Sequence, residues 1–246
     1  MSVILITGGS RGIGAATALL AAEQGYDVGF SYHSNKSAAD DVLAKLENFG
    51  RKAVAVQADV ADEKQVVNLF ETVDGLGRLS VLVNNAGVLE QQMRVEQMDA
   101  ARLRRVFDVN VVGAFMCCRE AILRMSTRRG GRGGAIVNVS SGAARLGSAG
   151  EYVDYAASKG ALDTLTLGLS QELASEGIRV NTVRPGFIDT DIHASGGEPE
   201  RLERVKNAIP LQRAGSPTEV AEAILWLASD KASYSTGAFL DVTGGR

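Results

Sequence analysis

Short apolar runs, many of them β-branched, alternate along the whole chain with longer stretches in which apolar residues recur every three or four positions. The short runs predict strands and the longer stretches predict helices. Seven strands are predicted, at Val3–Ile6, Asp27–Tyr32, Ala53–Gln57, Val81–Val83, Ala135–Val139, Arg179–Val183 and Ala238–Val242. Six helices are predicted between them, one ending near Gly25 and the others over about 37–49, 63–73, 102–125, 152–175 and 217–228. This alternation predicts a doubly wound α/β fold, a parallel sheet with helices on both faces.

Composition narrows the class of protein. The 246 residues contain no repeat or linker, so we expect one domain over 1–246. The 26 Lys and Arg against 29 Asp and Glu give a net charge of −3, which disfavours a nucleic-acid-binding protein. The two cysteines, Cys117 and Cys118, are adjacent and cannot form a disulfide framework, so we expect a cytoplasmic protein and buried packing thiols. No segment has the pattern of a signal peptide or a membrane span.

A glycine-rich loop, Thr7 to Gly14, follows the first predicted strand and opens the first helix. Gly8, Gly12 and Gly14 would allow the backbone to approach a ligand, and the helix N-terminus would present free N–H groups to a pyrophosphate. A tight turn without a ligand is the alternative interpretation.

The same loop also satisfies GxSxG, the pattern that places a nucleophilic serine in α/β-hydrolases, here Ser10. Only seven residues precede Gly8, so no earlier strand could supply the oxyanion loop. The histidine partner would have to be His33 or His193. A hydrolase is therefore a remote alternative.

The end of the second predicted strand indicates which dinucleotide fits. It contains no Asp or Glu, the residue type that an NAD site places on the ribose 2′-hydroxyl. His33, Asn35 and Lys36 follow the strand, and with Arg11 they could surround a 2′-phosphate. We therefore expect NADP(H) to be preferred over NAD(H); a solvated loop is the alternative.

Candidate catalytic residues lie further along the chain. Tyr155 and Lys159 are four residues apart near the start of a predicted helix and share one helix face. An ammonium group beside a phenol lowers the phenol pKa from about 10, which makes Tyr155 a candidate acid–base group. Ser141, after the fifth strand, could hydrogen-bond a substrate carbonyl, and Ser140 is the alternative hydroxyl.

Together these motifs resemble the short-chain dehydrogenase/reductase family over nearly the whole chain. The matching motifs are the Thr7–Gly14 loop, Asp59-Val60, Asn84-Asn85-Ala86-Gly87, Asn110, Ser141, Tyr155 with Lys159, and Pro185-Gly186. The resemblance implies a Rossmann-like fold and the interconversion of a carbonyl and a secondary alcohol by hydride transfer with NADP(H). Ser80 departs from the pattern, because the family usually has Asp shortly before Asn-Asn-Ala-Gly.

The resemblance also implies a role for each matching residue. Tyr155 would be the acid/base, and Lys159 would lower its pKa and hold the nicotinamide ribose. Ser141 would polarise the carbonyl, and Asn110 would anchor a water in a proton relay. The implied cofactor-binding residues are Gly8, Ser10, Arg11, Gly12, Ile13, Gly14, His33, Asn35, Lys36, Asp59, Val60, Asn85, Ala86, Gly87, Tyr155, Lys159, Pro185, Gly186, Ile188 and Thr190. No metal is expected.

The substrate is less well defined by the sequence. Residues from about 189 to 207 are expected to form a mobile lid, with His193 as a lid residue rather than a base. Glu151, Tyr152 and Asp154 could bind a hydroxylated substrate, as in the family's sugar and polyol dehydrogenases of the glucose/ribitol type. The alternative is a 3-oxoacyl-carrier-protein reductase, and a general carbonyl reductase covers both.

A basic cluster favours the acyl-carrier substrate. Arg124, Arg128, Arg129 and Arg132 could meet an acidic carrier protein, although a solvated basic loop explains them as well. A cofactor sensor without turnover is an alternative of another class, which the complete catalytic set disfavours.

Apolar positions on nearly all sides of two predicted helices, 102–125 and 152–175, favour pairing between copies of the chain. The family is often tetrameric, so we expect a homotetramer.

Overall fold

Parallel strands form a sheet in the order β3-β2-β1-β4-β5-β6-β7. The computed structural model describes residues 2–190 and 196–246. In it the strands are β1 Ser2–Ile6, β2 Asp27–Tyr32, β3 Ala53–Gln57, β4 Arg78–Asn84, β5 Gly134–Val139, β6 Ile178–Pro185 and β7 Phe239–Val242. The order reverses beside β1, so the carboxyl ends of β1 and β4 flank a crevice where such sheets bind ligands. The predicted seven-stranded, doubly wound fold is confirmed.

Helices cover both faces of the sheet. They are α1 Gly12–Glu23, α2 Lys36–Glu47, α3 Glu63–Asp74, α4 Ala100–Phe107, α5 Gly113–Met125, α6 Ala143–Leu146, α7 Val153–Leu173, α8 Arg201–Val205 and α9 Pro217–Ala228. Their starts follow ordinary capping chemistry: the Asp62 carboxylate accepts from two backbone N–H groups of α3, and Ser216 forms a capping box with Glu219. Within the described part of the chain, no helix is both long and apolar enough to cross a membrane.

Two apolar cores lie on opposite faces of the sheet. On one face α3, α5 and α7 bury side chains such as Phe70, Cys117 and Leu162 against β1, β4 and β5. On the other face α1, α2 and α9 bury Ala21, Leu46, Ile224 and their neighbours. Cys117 and Cys118 are buried free thiols, as predicted.

The predicted helix over 102–125 is not continuous. A π-helical turn, Asp108–Val112, separates α4 from α5 and contains Asn110. The Asn110 amide donates to the Val88 carbonyl and its oxygen accepts from the Val88 N–H. This pairing across 22 residues of sequence fixes the extra residue of the π turn, a feature that helical periodicity does not reveal.

Ser80, the departure from the family pattern, lies at an irregularity between β1 and β4. Val3 pairs with Leu79 and Ile4 pairs with Val81, so Ser80 is the additional residue of a bulge. Its hydroxyl donates to the Val3 carbonyl at 3.1 Å. The substitution therefore acts on strand pairing, far from the carboxyl ends of the strands.

Candidate active site

Ser141, Tyr155, Lys159 and Asn110 come together at the carboxyl end of β5. Ser141 follows β5, whereas Tyr155 and Lys159 lie in the first two turns of α7. The Ser141 side chain lies close enough to the Tyr155 hydroxyl to lower its pKa, and the Lys159 Nζ lies 5.6 Å from the centre of the Tyr155 ring. A Cβ placed on Gly87 would lie 3.3 Å from the Asn110 oxygen and 3.4 Å from the Lys159 Nζ. The loop after β4 thus joins the four predicted catalytic residues in one site.

Backbone groups hold these side chains in place. The Lys159 ammonium donates to the Val139 carbonyl at 2.8 Å, at the end of β5. The Asn110 amide also donates to the Ser158 hydroxyl. Ser140, the alternative hydroxyl, donates to the Lys159 carbonyl and is buried. Ser140 therefore serves packing, and Ser141 is the serine that contacts Tyr155.

Burial is the largest influence on the pKa values of Tyr155 and Lys159. It raises the pKa of Tyr155, and the Ser141 hydrogen bond and the Arg201 charge act in the opposite direction. It also lowers the pKa of Lys159 to about 8, and the Asp163 carboxylate acts in the opposite direction. The predicted net lowering of the Tyr155 pKa is thus not found: burial outweighs the opposing effects of Ser141 and Arg201, and the Lys159 ammonium donates to the Val139 carbonyl.

The glycine loop is packed too tightly for side chains. A Cβ on Gly14 would lie 2.2 Å from the Gly8 carbonyl oxygen, and a Cβ on Gly9 would lie 2.5 Å from Phe30. Gly8 and Gly12 adopt φ values of 67° and 53°, which glycine tolerates best. The turn therefore leads directly into the N-terminus of α1, where its N–H groups can meet a phosphate.

The next loop braces the glycine loop. The Thr7 hydroxyl accepts from the backbone N–H groups of Asn85 and Ala86. The Asn85 amide donates to the Thr7 and Gly8 carbonyls, each at 3.0 Å. Asn85 thus shapes the cradle with its side chain, which spacing alone did not show. Ser10 and Ile13 complete the loop, and the Ile13 carbonyl accepts from Thr17 inside α1.

The candidate 2′-phosphate residues differ in how available they are. Asn35 caps α2, because its oxygen accepts from the Ala38 N–H, and Lys36 pairs with Asp40 at 2.7 Å. His33 lies 3.8 Å from Asp59. Within the described residues the exposed Arg11 side chain has no hydrogen-bond or ion-pair partner. Arg11 is therefore the cation best placed to meet an anion.

Asp59 and Val60 occupy the turn after β3, as their sequence position requires. An Asp59 oxygen accepts from the Ala61 N–H, and the Asp59 N–H donates to Gln65. Val60 is buried, and its carbonyl would lie 2.8 Å from a Cβ on Gly113, so α5 closes over this turn. The turn forms one wall of the crevice.

The segment after β6 closes the crevice on the other side. The Gly186 N–H donates to the Val242 carbonyl of β7, and the Pro185 carbonyl accepts from the Gly142 N–H. Ile188 forms a bridge with Gly215. A Cβ on Gly12 would lie 3.2 Å from the methyl carbon of Thr190. Thr190 therefore faces the glycine loop across the crevice.

The three residues proposed to bind a hydroxylated substrate are already engaged. Asp154 pairs with Arg102 at 2.8 Å and also accepts from the Tyr155 N–H. Glu151 pairs with Arg201 at 2.6 Å, and the Tyr152 hydroxyl donates to the Gly196 carbonyl. The prediction of a polyol-binding set is therefore not supported, because these contacts hold protein segments together.

Part of the predicted lid is a short helix, α8, that docks beside Tyr155. Arg201 is 9% exposed, and its guanidinium lies over the rings of Tyr152 and Phe187 at 4.6 and 5.3 Å. Sequence reasoning missed both Arg201 and Arg102, since their partners lie about 50 residues away. His193 and the other residues of 191–195 lie outside the described residues, so the prediction for His193 is untested.

The basic cluster lies at the wrong end of the sheet for a substrate-docking patch. Residues 127–133 precede β5, whereas Ser141 follows it, so about 20 Å of strand separates the two. Arg124 pairs with Asp74 and Glu120, and Arg128 pairs with Glu176. The structure thus favours the alternative of a solvated basic loop, in which Arg129 and Arg132 are exposed.

Known proteins resemble this chain over its full length. A family model described as enoyl-(acyl carrier protein) reductase matches residues 8–246. A protein named as an uncharacterized oxidoreductase, YgfF, of Escherichia coli K12 is 60% identical over 100% of both chains. A 3-oxoacyl-[acyl-carrier-protein] reductase, FabG, of Staphylococcus aureus is 40% identical, over 98% of this chain and 96% of its own.

Solved structures agree with the sequence comparisons. A short-chain dehydrogenase from Burkholderia cenocepacia, solved in complex with NADP, superposes with a TM-score of 0.91 at 33% identity. The match covers 99% of this chain and 97% of the other. A hydrolase using Ser10 is thereby overturned. With its parallel sheet, its glycine loop and the Ser141, Tyr155 and Lys159 cluster, this chain is an oxidoreductase that belongs to the short-chain dehydrogenase/reductase family.

Proposed function

We propose that the protein is an NADP(H)-dependent oxidoreductase that interconverts a ketone and a secondary alcohol. The observation that carries the proposal is the proximity of Ser141 and Tyr155 at the end of β5, with Lys159 beside the Tyr155 ring. Two hydroxyl groups that converge on one point can both donate to a single carbonyl oxygen. Such an oxygen becomes more basic as a hydride adds to the carbon, which is the charge change that this pair can stabilise.

The glycine loop fits a dinucleotide, because a Cβ at Gly14 would fill the cradle at the α1 N-terminus. When bound, a nicotinamide cofactor supplies or accepts the hydride. We assign the loop residues 8–14 to its pyrophosphate, and Asp59, Val60 and residues 85–87 to its adenosine half and the adjoining wall. Residues 185–190 would bind the carboxamide side, with Ile188 acting through its backbone and Thr190 through its hydroxyl.

The chain's own groups handle the proton. In the reducing direction the Tyr155 hydroxyl donates its proton to the carbonyl oxygen, while the Ser141 hydroxyl holds that oxygen by a hydrogen bond. The raised pKa of Tyr155 keeps it protonated and ready for this step. The Lys159 ammonium, 5.6 Å from the centre of the Tyr155 ring, then offsets part of the negative charge that forms on Tyr155. Asn110 would hold a water that returns a proton from solvent along Lys159.

Turnover tests this proposal. NADPH and NADH oxidation would be followed with a panel of ketones, sugars and 3-oxoacyl thioesters. Tyr155→Phe should lower kcat by about 10²–10⁴-fold, because the proton donor is lost. Tyr152→Phe is the matched control: its hydroxyl bonds the Gly196 carbonyl, so its loss should change kcat by less than about tenfold. Tight cofactor binding without turnover on any substrate would favour the sensor alternative and contradict the enzyme proposal.

We further propose that Arg11 sets a preference for NADPH over NADH. The exposed Arg11 has no partner among the described residues, whereas Lys36 would have to leave Asp40. A charge-assisted hydrogen bond contributes about 1.5–3 kcal/mol. Arg11→Gln should therefore lower kcat/KM for NADPH by roughly ten- to a hundredfold and leave that for NADH nearly unchanged. An equal loss with both cofactors would contradict the assignment.

A second candidate function is the reduction of 3-oxoacyl groups on a carrier protein. The 40% identical Staphylococcus aureus relative of that name favours it. The arginine cluster does not support a carrier-protein substrate, since residues 127–133 lie at the amino ends of the strands, opposite the candidate site. A 3-oxoacyl thioester turned over much faster than simple ketones would establish this candidate over the general carbonyl reductase.

We propose that copies of the chain pair through α5 and α7 toward a homotetramer. Four large apolar side chains of these helices and the adjoining π turn are 43–52% exposed: Val112, Phe115, Leu123 and Leu167. Contiguous exposed apolar residues on helix faces are typical of an interface. Sedimentation at micromolar concentration should show an oligomer, and a monomer would contradict the proposal. A cytoplasmic location remains a prediction from the reduced state expected of Cys117 and Cys118.

A further inference from the structure

A buried carboxylate lies one helical turn after Lys159. Asp163 is 9% exposed and Lys159 is 3% exposed, and the two are four residues apart on α7. Side chains at this spacing lie on the same helix face, with Cβ atoms about 5–6 Å apart. A charge at Asp163 therefore acts on the Lys159 ammonium through the interior of the protein, where screening by solvent is weak.

Asp163 is only partly neutralised by its own ion pair. One carboxylate oxygen accepts two hydrogen bonds from Arg184, at 3.0 and 2.8 Å. The other oxygen is buried and has no hydrogen-bond partner among the described residues. Arg184 also lies 3.8 Å from Asp241, which in turn pairs with Arg145 at 2.9 Å. Because Arg184 binds only one of the two Asp163 oxygens, the unpartnered oxygen leaves negative charge facing the interior.

The surroundings of Lys159 offer it little else that is charged. The end of β5 presents the Val139 carbonyl, and the π turn and the loop after β4 present the neutral Asn110 and Gly87. From α7 itself come Tyr155 and Asp163, and β6 supplies Arg184 behind Asp163. Burial disfavours the cationic form of Lys159 and lowers its pKa, and Asp163 is the group that opposes this effect.

We propose that Asp163 is a positioning residue whose buried charge keeps Lys159 cationic, and that Arg184 limits how much of that charge Lys159 feels. The inference rests on the proposed function, since a cationic Lys159 is what stabilises the Tyr155 anion. Neither Asp163 nor Arg184 touches the reacting groups. Both act through Lys159.

Two variants that break the same ion pair should have opposite effects. Asp163→Asn removes a negative charge, so Lys159 should lose its proton at lower pH. The alkaline limb of the kcat/KM profile for reduction should then move down by about half to one pH unit. Arg184→Gln removes the opposing positive charge and should move the same limb up. If the two residues had only a structural role, the alkaline limb would shift in the same direction in both variants, or would not shift at all.

Two controls separate charge from folding. Asp163→Glu keeps the negative charge, so the alkaline limb of its kcat/KM profile should lie at the wild-type pH even if its melting temperature falls. Arg145→Gln removes the outer partner of Asp241 and should shift the limb by less than about 0.2 unit, because the charge is farther from Lys159 and exposed.

A second readout does not need turnover. Trace acetylation with acetic anhydride across pH, followed by mass spectrometry of the Lys159 peptide, reports the titration of this amine in the protein without cofactor. Asp163→Asn should shift that titration to lower pH, and an unchanged titration would overturn the inference. If the wild-type protein shows no turnover, the proposed function fails while the labelling still decides the role of Asp163.

Discussion

The proposed cofactor side and the proposed substrate side of the crevice are built by different means. On the cofactor side the glycine loop and the Asn85 loop are held by backbone groups, Thr7 and one amide side chain. On the substrate side charged side chains join segments that are far apart in sequence: Arg102 with Asp154, and Arg201 with Glu151. The first arrangement leaves little room for change, whereas the second can be rebuilt by exchanging a few ion pairs.

This difference explains why the cofactor class was easier to infer than the substrate. The N–H groups and glycines of a phosphate cradle are needed for any dinucleotide, so they appear as a local motif. The substrate side depends on which charges are already neutralised inside the protein. The sequence gives no partner for Glu151 or Asp154, but in the structure both form ion pairs, with Arg201 and Arg102.

The largest effect on stability is expected at the buried ion pair of the substrate side. Asp154 is 4% exposed, and its partner Arg102 also donates to the Gln91 carbonyl. Asp154→Asn leaves the Arg102 charge buried without its partner, so the free energy of unfolding should fall by about 3–5 kcal/mol. Chemical denaturation measures this change.

A double-mutant cycle checks the cause. Arg102→Gln with Asp154→Asn should recover part of the loss, because no unpaired charge is left buried. If the losses in unfolding free energy were additive, the two residues would act independently. That result would contradict the view that this side of the crevice is held by ion pairs.

On the cofactor side, Gly14→Ala tests whether the cradle tolerates added volume. The new Cβ would lie 2.2 Å from the Gly8 oxygen and 2.6 Å from the Asn85 amide nitrogen. We expect a loss of about 1–3 kcal/mol in unfolding free energy and at least a tenfold weaker binding of NADPH. Fluorescence titration with NADPH and thermal unfolding would measure the two effects.

Gly168→Ala is the matched control, since a Cβ there meets nothing within 4 Å. Alanine at this exposed position of α7 creates no clash within the chain and should leave cofactor binding unchanged. If Gly14→Ala and Gly168→Ala had the same stability and the same affinity for NADPH, the glycine loop would not be tightly packed.

The smallest effect is expected at the outer ion pair of α8. Arg204 contacts Glu198 at 2.5 Å and Glu151 at 3.0 Å, but its side chain is 51% exposed. Arg204→Gln should therefore change the free energy of unfolding by less than about 1 kcal/mol. A larger change would show that α8 is anchored mainly by this exposed pair rather than by the buried Arg201.

The sequence predicted strands with greater accuracy than helix continuity. The strands Asp27–Tyr32 and Ala53–Gln57 have the predicted bounds, because each short apolar run stops abruptly at a polar turn. The helix predicted over 102–125 is broken at 108–112, since the Asn110–Val88 hydrogen bonds link it to a distant loop. The short α8 was missed because its stability comes from Arg201 and Glu151, and not from helical periodicity.

The sequence by itself determined the doubly wound fold and the glycine loop, because both depend on local spacing and on apolar period, and its resemblance to a known family supplied the residues that meet at the candidate site. Only the tertiary structure decided the pKa values of its ionisable groups. It also decided which charged side chains near the site are already bound to other protein groups. Burial raises the pKa of Tyr155 and lowers that of Lys159, and burial is a property of the packed molecule. Likewise, whether Asp154 faces a substrate or Arg102 depends on a contact across 52 residues, which long-range packing alone can fix.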